Sequence, residues 1–279
     1  MGTAGHKVRA RIEQHLSIRT RNHAAVFGSG FGVGILGGLI GLGGAEFRLP
    51  LLIGVFGFSA LPAVIINKAT SLVVVASSLP FRAGSITFTS LFQRWDIIIT
   101  LLVGSLLGAW LGAGWATRLQ SRTLYRILAV LLVAIAAILL LGHEPSSAGK
   151  PPLDGPALAV VGSIAGFGIG VVASVMGVAG GELLIPLIVL LFGADIKLAG
   201  SLSLAVSLPT MIVGFTRYSQ DQSFGVVRAE RTFLVVMALG SVAGAFLGGQ
   251  LLGIVPIKVL LPVLAAILVV SSVRVWRHT

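Results

Sequence analysis

Gly41-Leu42-Gly43-Gly44-Ala45-Glu46-Phe47-Arg48-Leu49-Pro50-Leu51 is followed, 136 positions later, by Gly177-Val178-Ala179-Gly180-Gly181-Glu182-Leu183-Leu184-Ile185-Pro186-Leu187. Each stretch places a glycine cluster, a carboxylate and a proline between apolar runs. Glycine opens the backbone to left-handed conformations, and proline withholds an N–H. Irregular backbone and buried charge are tolerated inside a bilayer only where protein or a watery cavity encloses them. The segments that follow, Glu46–Phe58 and Glu182–Phe192, are too short to span alone. Both stretches therefore predict a discontinuous helix with a glycine-rich start.

The surroundings are those of a membrane protein. Hydrophobic residues make up 56% of the 279 residues and charged residues 10%, with a mean hydropathy of +1.01. A soluble domain carries about 25% charged residues. A spanning helix needs roughly 20 apolar residues, so Val26 to Val275 has room for about eight to ten segments. The 37 glycines suit close helix packing in lipid. The formal charge of +11 would suggest a nucleic-acid partner in a soluble chain. Here the basic residues gather in loops and tails, where they set orientation, so no nucleic acid is expected. The absence of cysteine excludes disulfides and thiolate metal sites. His6, His15, His23, His143 and His278 fall in tails, loops or helix ends and form no metal spacing. No nucleophile–His–acid set or Walker loop is present, and no strand precedes the glycine runs. Neither an enzyme nor a cofactor is expected.

Hydropathy places segments at Ala24–Leu42, Glu46–Phe58, Ala63–Leu79, Ile97–Thr117 and Leu124–Leu141. A second set follows at Ala157–Val178, Glu182–Phe192, Lys197–Phe215, Thr232–Gln250 and Pro256–Arg274. This divides the chain into a basic tail (1–23), a first transmembrane repeat (24–141), a linker loop (142–156) and a second repeat (157–279). Val8, Ile12 and Leu16 recur at helical spacing, so the tail reads either as a short interfacial helix or as a basic coil. The repeat continues beyond the opening stretch. Gly57 matches Gly193, Gly104-Ser105 matches Gly240-Ser241, and Gly108-Ala109 matches Gly244-Ala245, all at the same offset. Around residues 59–82 a gapped pairing of Ser71-Leu72 with Ser203-Leu204 competes with the ungapped one.

Five segments per half would turn the second half over relative to the first. Charge agrees with that. With the tail inside, Arg118, Arg122, the Arg217–Arg231 loop, Arg274 and Arg277 also fall inside, while the linker outside has only Lys150. Arg82 and Arg94 are the exceptions. The expectation is an all-α, polytopic transmembrane helical bundle of two inverted repeats. Both termini would be cytoplasmic.

The half-helix starts are the natural site. Free N–H groups and the positive end of the helix dipole attract an anion without any cationic side chain. The plainer explanation is that the glycines only permit tight crossing. Gly43, Gly44, Gly180 and Gly181 would supply backbone. Glu46 and Glu182, in the first turns, would either compensate the dipole or carry a proton. Arg48 would pair with Glu46 or face an oxyanion with its planar fork of donors. Lys68 would touch substrate or snorkel from a helix end. Thr70, Ser71 and Ser203 offer hydroxyls to a ligand or to neighbouring helices. Asp96, Asp195, Lys197 and the tryptophans mark helix ends.

The pattern G-x-x-G-G followed by P-L in both halves resembles the sulfite exporter TauE/SafE family. So do Ala69-Thr70-Ser71-Leu72, Arg82-Ala83-Gly84-Ser85-Ile86, Gly104-Ser105-Leu106-Leu107-Gly108-Ala109, Ser203-Leu204-Ala205-Val206-Ser207-Leu208-Pro209-Thr210 and Gly240-Ser241-Val242-Ala243-Gly244-Ala245. The likeness runs from about Val26 to Val275. The family pattern usually has a third glycine where Ala45 stands. The resemblance implies export of small sulfur-containing oxyanions, such as sulfite or organosulfonates, across the inner membrane of a bacterial cell. Alternating access is the mechanism expected of two inverted repeats rocking about the site. A passive anion channel, or a carrier of another anion such as a carboxylate, would fit the same residues. Expected partners are the small anionic substrate, the lipid bilayer, protons as coupling ion, and a second copy of the chain as a homodimer.

Overall fold

The structure, a computed structural model, describes residues 22–40, 44–83, 94–141, 153, 155–251 and 257–277. Among these residues it holds eleven α-helices and a 3₁₀ turn, with no strand. In chain order they are α1 (His23–Ile40), α2 (Ala45–Gly54), α3 (Ala60–Ala83), α4 (Trp95–Ala116) and α5 (Ser121–Leu141). The second half holds α6 (Gly155–Met176), α7 (Gly181–Phe192), α8 (Ile196–Tyr218), α9 (Gly225–Ala229), α10 (Arg231–Gln250) and α11 (Ile257–Trp276). The tail, Gly43 and the linker lie outside the described residues, except for Asn22 and His23, position 153 and the start of α6.

The two halves keep step. α2, α3, α4 and α5 start 136 residues before α7, α8, α10 and α11 respectively, and α1 ends 136 residues before α6. Residues 59–82 therefore need no gap. Asn67 stands opposite Ser203, and Ser71 opposite Ser207. Two details differ from the expected segments. α2 stops at Gly54 rather than Phe58, and the chain turns through Gly57 at φ 73° to reach α3. The Arg217–Arg231 loop is partly helical: the Asp221 carboxylate accepts from the Ser223 N–H at 2.8 Å and starts a 3₁₀ turn that runs into α9.

Leaving aside the short α9, the first helix of each half crosses the fourth of the other. α1 packs on α10 and α4 on α6, and these are the most extensive pairings in the molecule. Small residues make them possible. Gly30, Gly34 and Gly38 of α1 face Gly240, Gly244 and Gly248 of α10, and a Cβ on any of them would strike the partner backbone. Gly104, Gly108 and Gly112 of α4 lie against the backbone of Ser163, Phe167 and Val171 on α6, while Gly166 and Gly170 answer at Leu101 and Ser105. Lipid is as apolar as leucine, so helices associate here by close contact rather than by escape from water. Glycine at every fourth position brings the backbones close enough for that contact.

α3, α4, α5, α6, α8 and α10 are each long and apolar enough to cross a membrane, while α1, α7 and α11 contribute shorter apolar stretches. Leu107, Ile164, Val160 and Leu190 are more than half exposed, as lipid-facing residues are. α5 and α11 pack together at one flank. α3 and α8 form the middle: they touch each other, and each leans on the fourth helix of the opposite half. The short α2 is held by α1, α3 and α11, and α7 by α6 and α8.

Candidate functional site

Each half-helix starts at a left-handed glycine. Gly44 has φ 70° and Gly180 has φ 82°, and neither half-helix has a side-chain cap. A β-carbon at Gly44 would also run into the backbone of Val33 and Gly37 on α1. These positions thus need glycine for both conformation and space. The first turns close on Gly44 and Gly180 themselves. Phe47 and Arg48 donate to the Gly44 carbonyl at 3.2 Å, and Leu183 and Leu184 donate to the Gly180 carbonyl at 3.1 and 2.9 Å. Pro50 and Pro186 then withhold the N–H that would reach back to the Glu46 and Glu182 carbonyls.

Glu46 and Glu182 meet. Both are buried, at 1% and 4% exposure. Their carboxyl groups lie within interaction range of one another, and each also lies towards its own backbone N–H. None of the four carboxylate oxygens has hydrogen-bond geometry to a donor among the described residues. The fold therefore brings the two first-turn carboxylates, one from each half, to a single buried place.

Arg48, two residues further along α2, is fully buried. Its Nη1 donates to the Asn67 Oδ1 at 3.3 Å and to the Ser71 Oγ at 3.0 Å, both on α3. Its charge also acts on Glu46 through space. Asn67 links the halves. Its amide donates to the Ala45 carbonyl at 3.0 Å, in the first turn of α2, and to the Met176 carbonyl at 3.2 Å, at the end of α6.

Lys68 is buried in the middle of α3, so it does not snorkel. Its ammonium donates to the Ala173 carbonyl at 3.3 Å and the Ser174 Oγ at 3.4 Å. These belong to the last turn of α6, whose Ala173 and Ser174 carbonyls already accept from the Val178 and Gly177 N–H groups at 2.9 and 3.1 Å, and where the negative end of the dipole favours a cation. The Tyr218 hydroxyl reaches the same turn and donates to the Ser174 carbonyl at 2.9 Å.

Of the residues singled out from sequence, Gly44, Glu46, Arg48, Gly180, Gly181 and Glu182 are placed at the two half-helix starts, with Ser71 of α3 bonded to Arg48, while Lys68 of α3 is turned to the end of α6. Gly43 lies outside the described residues. Thr70 and Ser203 are buried too, but their hydroxyls donate to carbonyls of their own helices, Ile66 at 2.9 Å and Gly200 at 2.8 Å. Sequence reasoning passed over Asn67, Ser174 and Tyr218. An amide in mid-span was signal enough for Asn67. Nothing local marks Ser174 or Tyr218, because their role depends on where α6 ends.

The arrangement suits a small anion: two converging positive helix ends, buried Arg and Lys, and carboxyls that can change charge. The sequence matches the family described as "Sulfite exporter TauE/SafE" over residues 13–275. It is also 32% identical over 111 residues to "Probable membrane transporter protein YunE" of Bacillus subtilis (strain 168). That likeness covers 39% of this chain and 38% of the relative, so the chain spans well under half of that protein. No solved structure matches. Helices built to cross a bilayer, an interior with paired half-helices and a match along nearly the whole sequence agree, and the chain belongs to the sulfite exporter TauE/SafE family of membrane transporters.

Proposed function

We propose that this protein is a secondary carrier that exports small sulfur-containing oxyanions, such as sulfite or organosulfonates, across the bacterial inner membrane. The observation that carries this reading is the meeting of the α2 and α7 starts, each with a left-handed glycine and a buried carboxyl. Discontinuous helices in corresponding positions of inverted repeats bind the substrate near the midplane in secondary transporters. The two halves then rock about that place to expose it to one side at a time.

The distribution of cations supports cytoplasmic termini. The Arg217 guanidinium lies over Trp110 at 5.6 Å and that of Arg126 over Trp276 at 5.9 Å. These contacts gather the ends of α4, α8 and α11 and the start of α5 on one face, together with Arg118, Arg122 and Arg274. A basic face of that kind favours the inside. An inside-negative potential then assists an anion outward by about 2.3 kcal/mol per charge per 100 mV, without ATP.

The test is flux in liposomes holding purified protein, loaded with sulfite, thiosulfate, a sulfonate, sulfate or a carboxylate. Saturable efflux of the sulfur oxyanions, accelerated by substrate on the opposite side, is expected. Flux without saturation or trans-acceleration would make the protein a channel, and flux of carboxylates alone would overturn the substrate class.

A further inference from the structure

We propose that Glu46 and Glu182 act as one proton-binding dyad, taking up a single proton when an anion occupies the half-helix starts and releasing it when the anion leaves. This rests on the reading of the chain as an anion carrier and adds the proton as its second ligand.

Two buried carboxyls side by side pose a hydrogen-bonding problem. An ionised carboxylate only accepts, and none of these four oxygens has a donor in hydrogen-bond geometry among the described residues. A single proton resolves this for both groups. The protonated carboxyl becomes a donor, and its neighbour is the acceptor already in reach. Two ionised groups repel in a low-dielectric interior and are held in the anion-free site only by the balancing charges of the buried Arg48 and Lys68, so the anion-free dyad stands ready to take up one proton.

The other ionisable residues of the helices packed around the pair fix what the proton does. α2 also carries Arg48, and α3 brings Lys68 and Arg82. α1 has His23 at its exposed start, α11 has Lys258 and Arg274, α6 has no ionisable side chain, and α8 has Lys197, Arg217 and Tyr218. Among the described side chains, Arg48, Lys68 and Tyr218 are the buried ones. Lys68 and Tyr218 both serve the end of α6. With both carboxyls ionised, Arg48 and Lys68 balance them and the interior is neutral. With one proton on the dyad, the interior carries one positive charge, which an anion neutralises. The proton forms an O–H bond on one carboxyl oxygen and comes from water on the side to which the site is open. No other bond changes and nothing is oxidised or reduced. A divalent anion leaving with one proton still moves one negative charge outward.

Thiosulfate is a suitable probe because it does not buffer near neutrality. Purified full-length protein in weak buffer with a pH indicator is expected to take up about one proton per thiosulfate bound, and affinity should rise up to tenfold per unit fall in pH. Glu46→Gln and Glu182→Gln each put an amide donor in place of the proton. Both variants should bind thiosulfate with pH-independent affinity and without proton uptake. Should the amides prevent folding, Glu182→Asp is expected to keep the uptake and shift its pH midpoint. Infrared difference spectra should add a protonated-carboxyl band on thiosulfate binding, lost in either Gln variant. Wild-type affinity independent of pH, or equal proton uptake by wild type and Gln variants, overturns the dyad while leaving anion flux and the carrier reading intact. Absence of binding and flux for every anion in the panel overturns the carrier reading itself, and the coupling with it.

Discussion

Arg48 donates to Ser71 at 3.0 Å, and the matching pair in the second half, Leu184 and Ser207, makes no such bond: the Ser207 hydroxyl is buried without a partner among the described residues. The two halves share a backbone plan but not its chemistry. The cation sits in the first half alone, and Ser207 keeps a hydroxyl opposite a leucine. Ser105 and Ser241 repeat the pattern. Ser105 bonds Thr210 at 2.8 Å, whereas Ser241 is buried without a partner among the described residues, and Val74 stands where a threonine would reach it.

Ser71 and Ser207 should therefore respond oppositely to alanine. Ser71→Ala removes a hydrogen bond to a buried charge and should destabilise by about 1.5–3 kcal/mol. Ser207→Ala removes an unpaired buried hydroxyl, whose burial costs about 1–3 kcal/mol, in exchange for a small void. It should be neutral or stabilise by up to about 1 kcal/mol. Thermal unfolding of the detergent-purified variants, followed by intrinsic fluorescence, reads both signs. A large loss for Ser207→Ala would mean that its hydroxyl has a task in the folded state.

Asn67 should be the most sensitive polar position outside the carboxyl pair. It accepts from Arg48 and donates to the Ala45 and Met176 carbonyls. Asn67→Leu keeps the bulk and removes all three bonds, while Arg48 keeps Ser71; each buried bond lost costs about 1–3 kcal/mol. Asn67→Asp keeps the acceptor for Arg48 and loses both donors. We expect the melting temperature to fall in the order wild type, Asp, Leu, and anion flux to fall with it, because the residue joins α2 to α6 across the halves. A Leu variant that melts with the wild type would remove Asn67 from that role.

The backbone plan was legible because it is written in residues with conformational consequences. The doubled Gly-Gly and first-turn glutamate, with the prolines at positions 50 and 186, announced two short helices, and the structure starts both at left-handed glycines. The glycines at every fourth position in α4 and α10 were visible as repeats, but which helix each would meet was not. α4 meets α6 and α10 meets α1 through contacts between halves, and no local pattern records them. The site divides in the same way. Glu46, Glu182 and Arg48 stand out as charges in an apolar sequence. That Lys68 would close the end of α6, rather than snorkel, follows from where α6 stops and which helix passes it.

Glycine substitutions should separate helix packing from helix propensity. Gly108 lies against the Phe167 backbone of α6, and Gly244 against the Phe31 backbone of α1. Gly108→Val or Gly244→Val would drive these crossings apart, and loss of a monodisperse peak in fluorescence-detected size-exclusion chromatography is expected. Gly168, on α6, is exposed, and a β-carbon added there would meet nothing within 4 Å. Gly168→Ala should be tolerated and should stabilise by about 0.5–1 kcal/mol, the difference between alanine and glycine in a helix. Equal damage at all three positions would contradict the packing described.

Glu230 offers a pH test outside the membrane-spanning segments. It is half-buried in front of α10, and burial pushes its carboxyl above the ordinary 4.5. Its place before the first turn of α10 favours the ionised form, so burial outweighs the dipole here. The folded state thus holds this proton more tightly than the unfolded chain. The stability tied to it is complete below the ordinary value and is lost as pH rises through the shifted one. Glu230→Gln imitates the protonated side chain at every pH. Variant and wild type should melt together in acid, and the variant should melt higher near neutrality. Melting curves collected across that range decide it: a variant that is less stable than wild type near neutrality would show that the ionised carboxylate, as a helix-start anion, outweighs the cost of its burial.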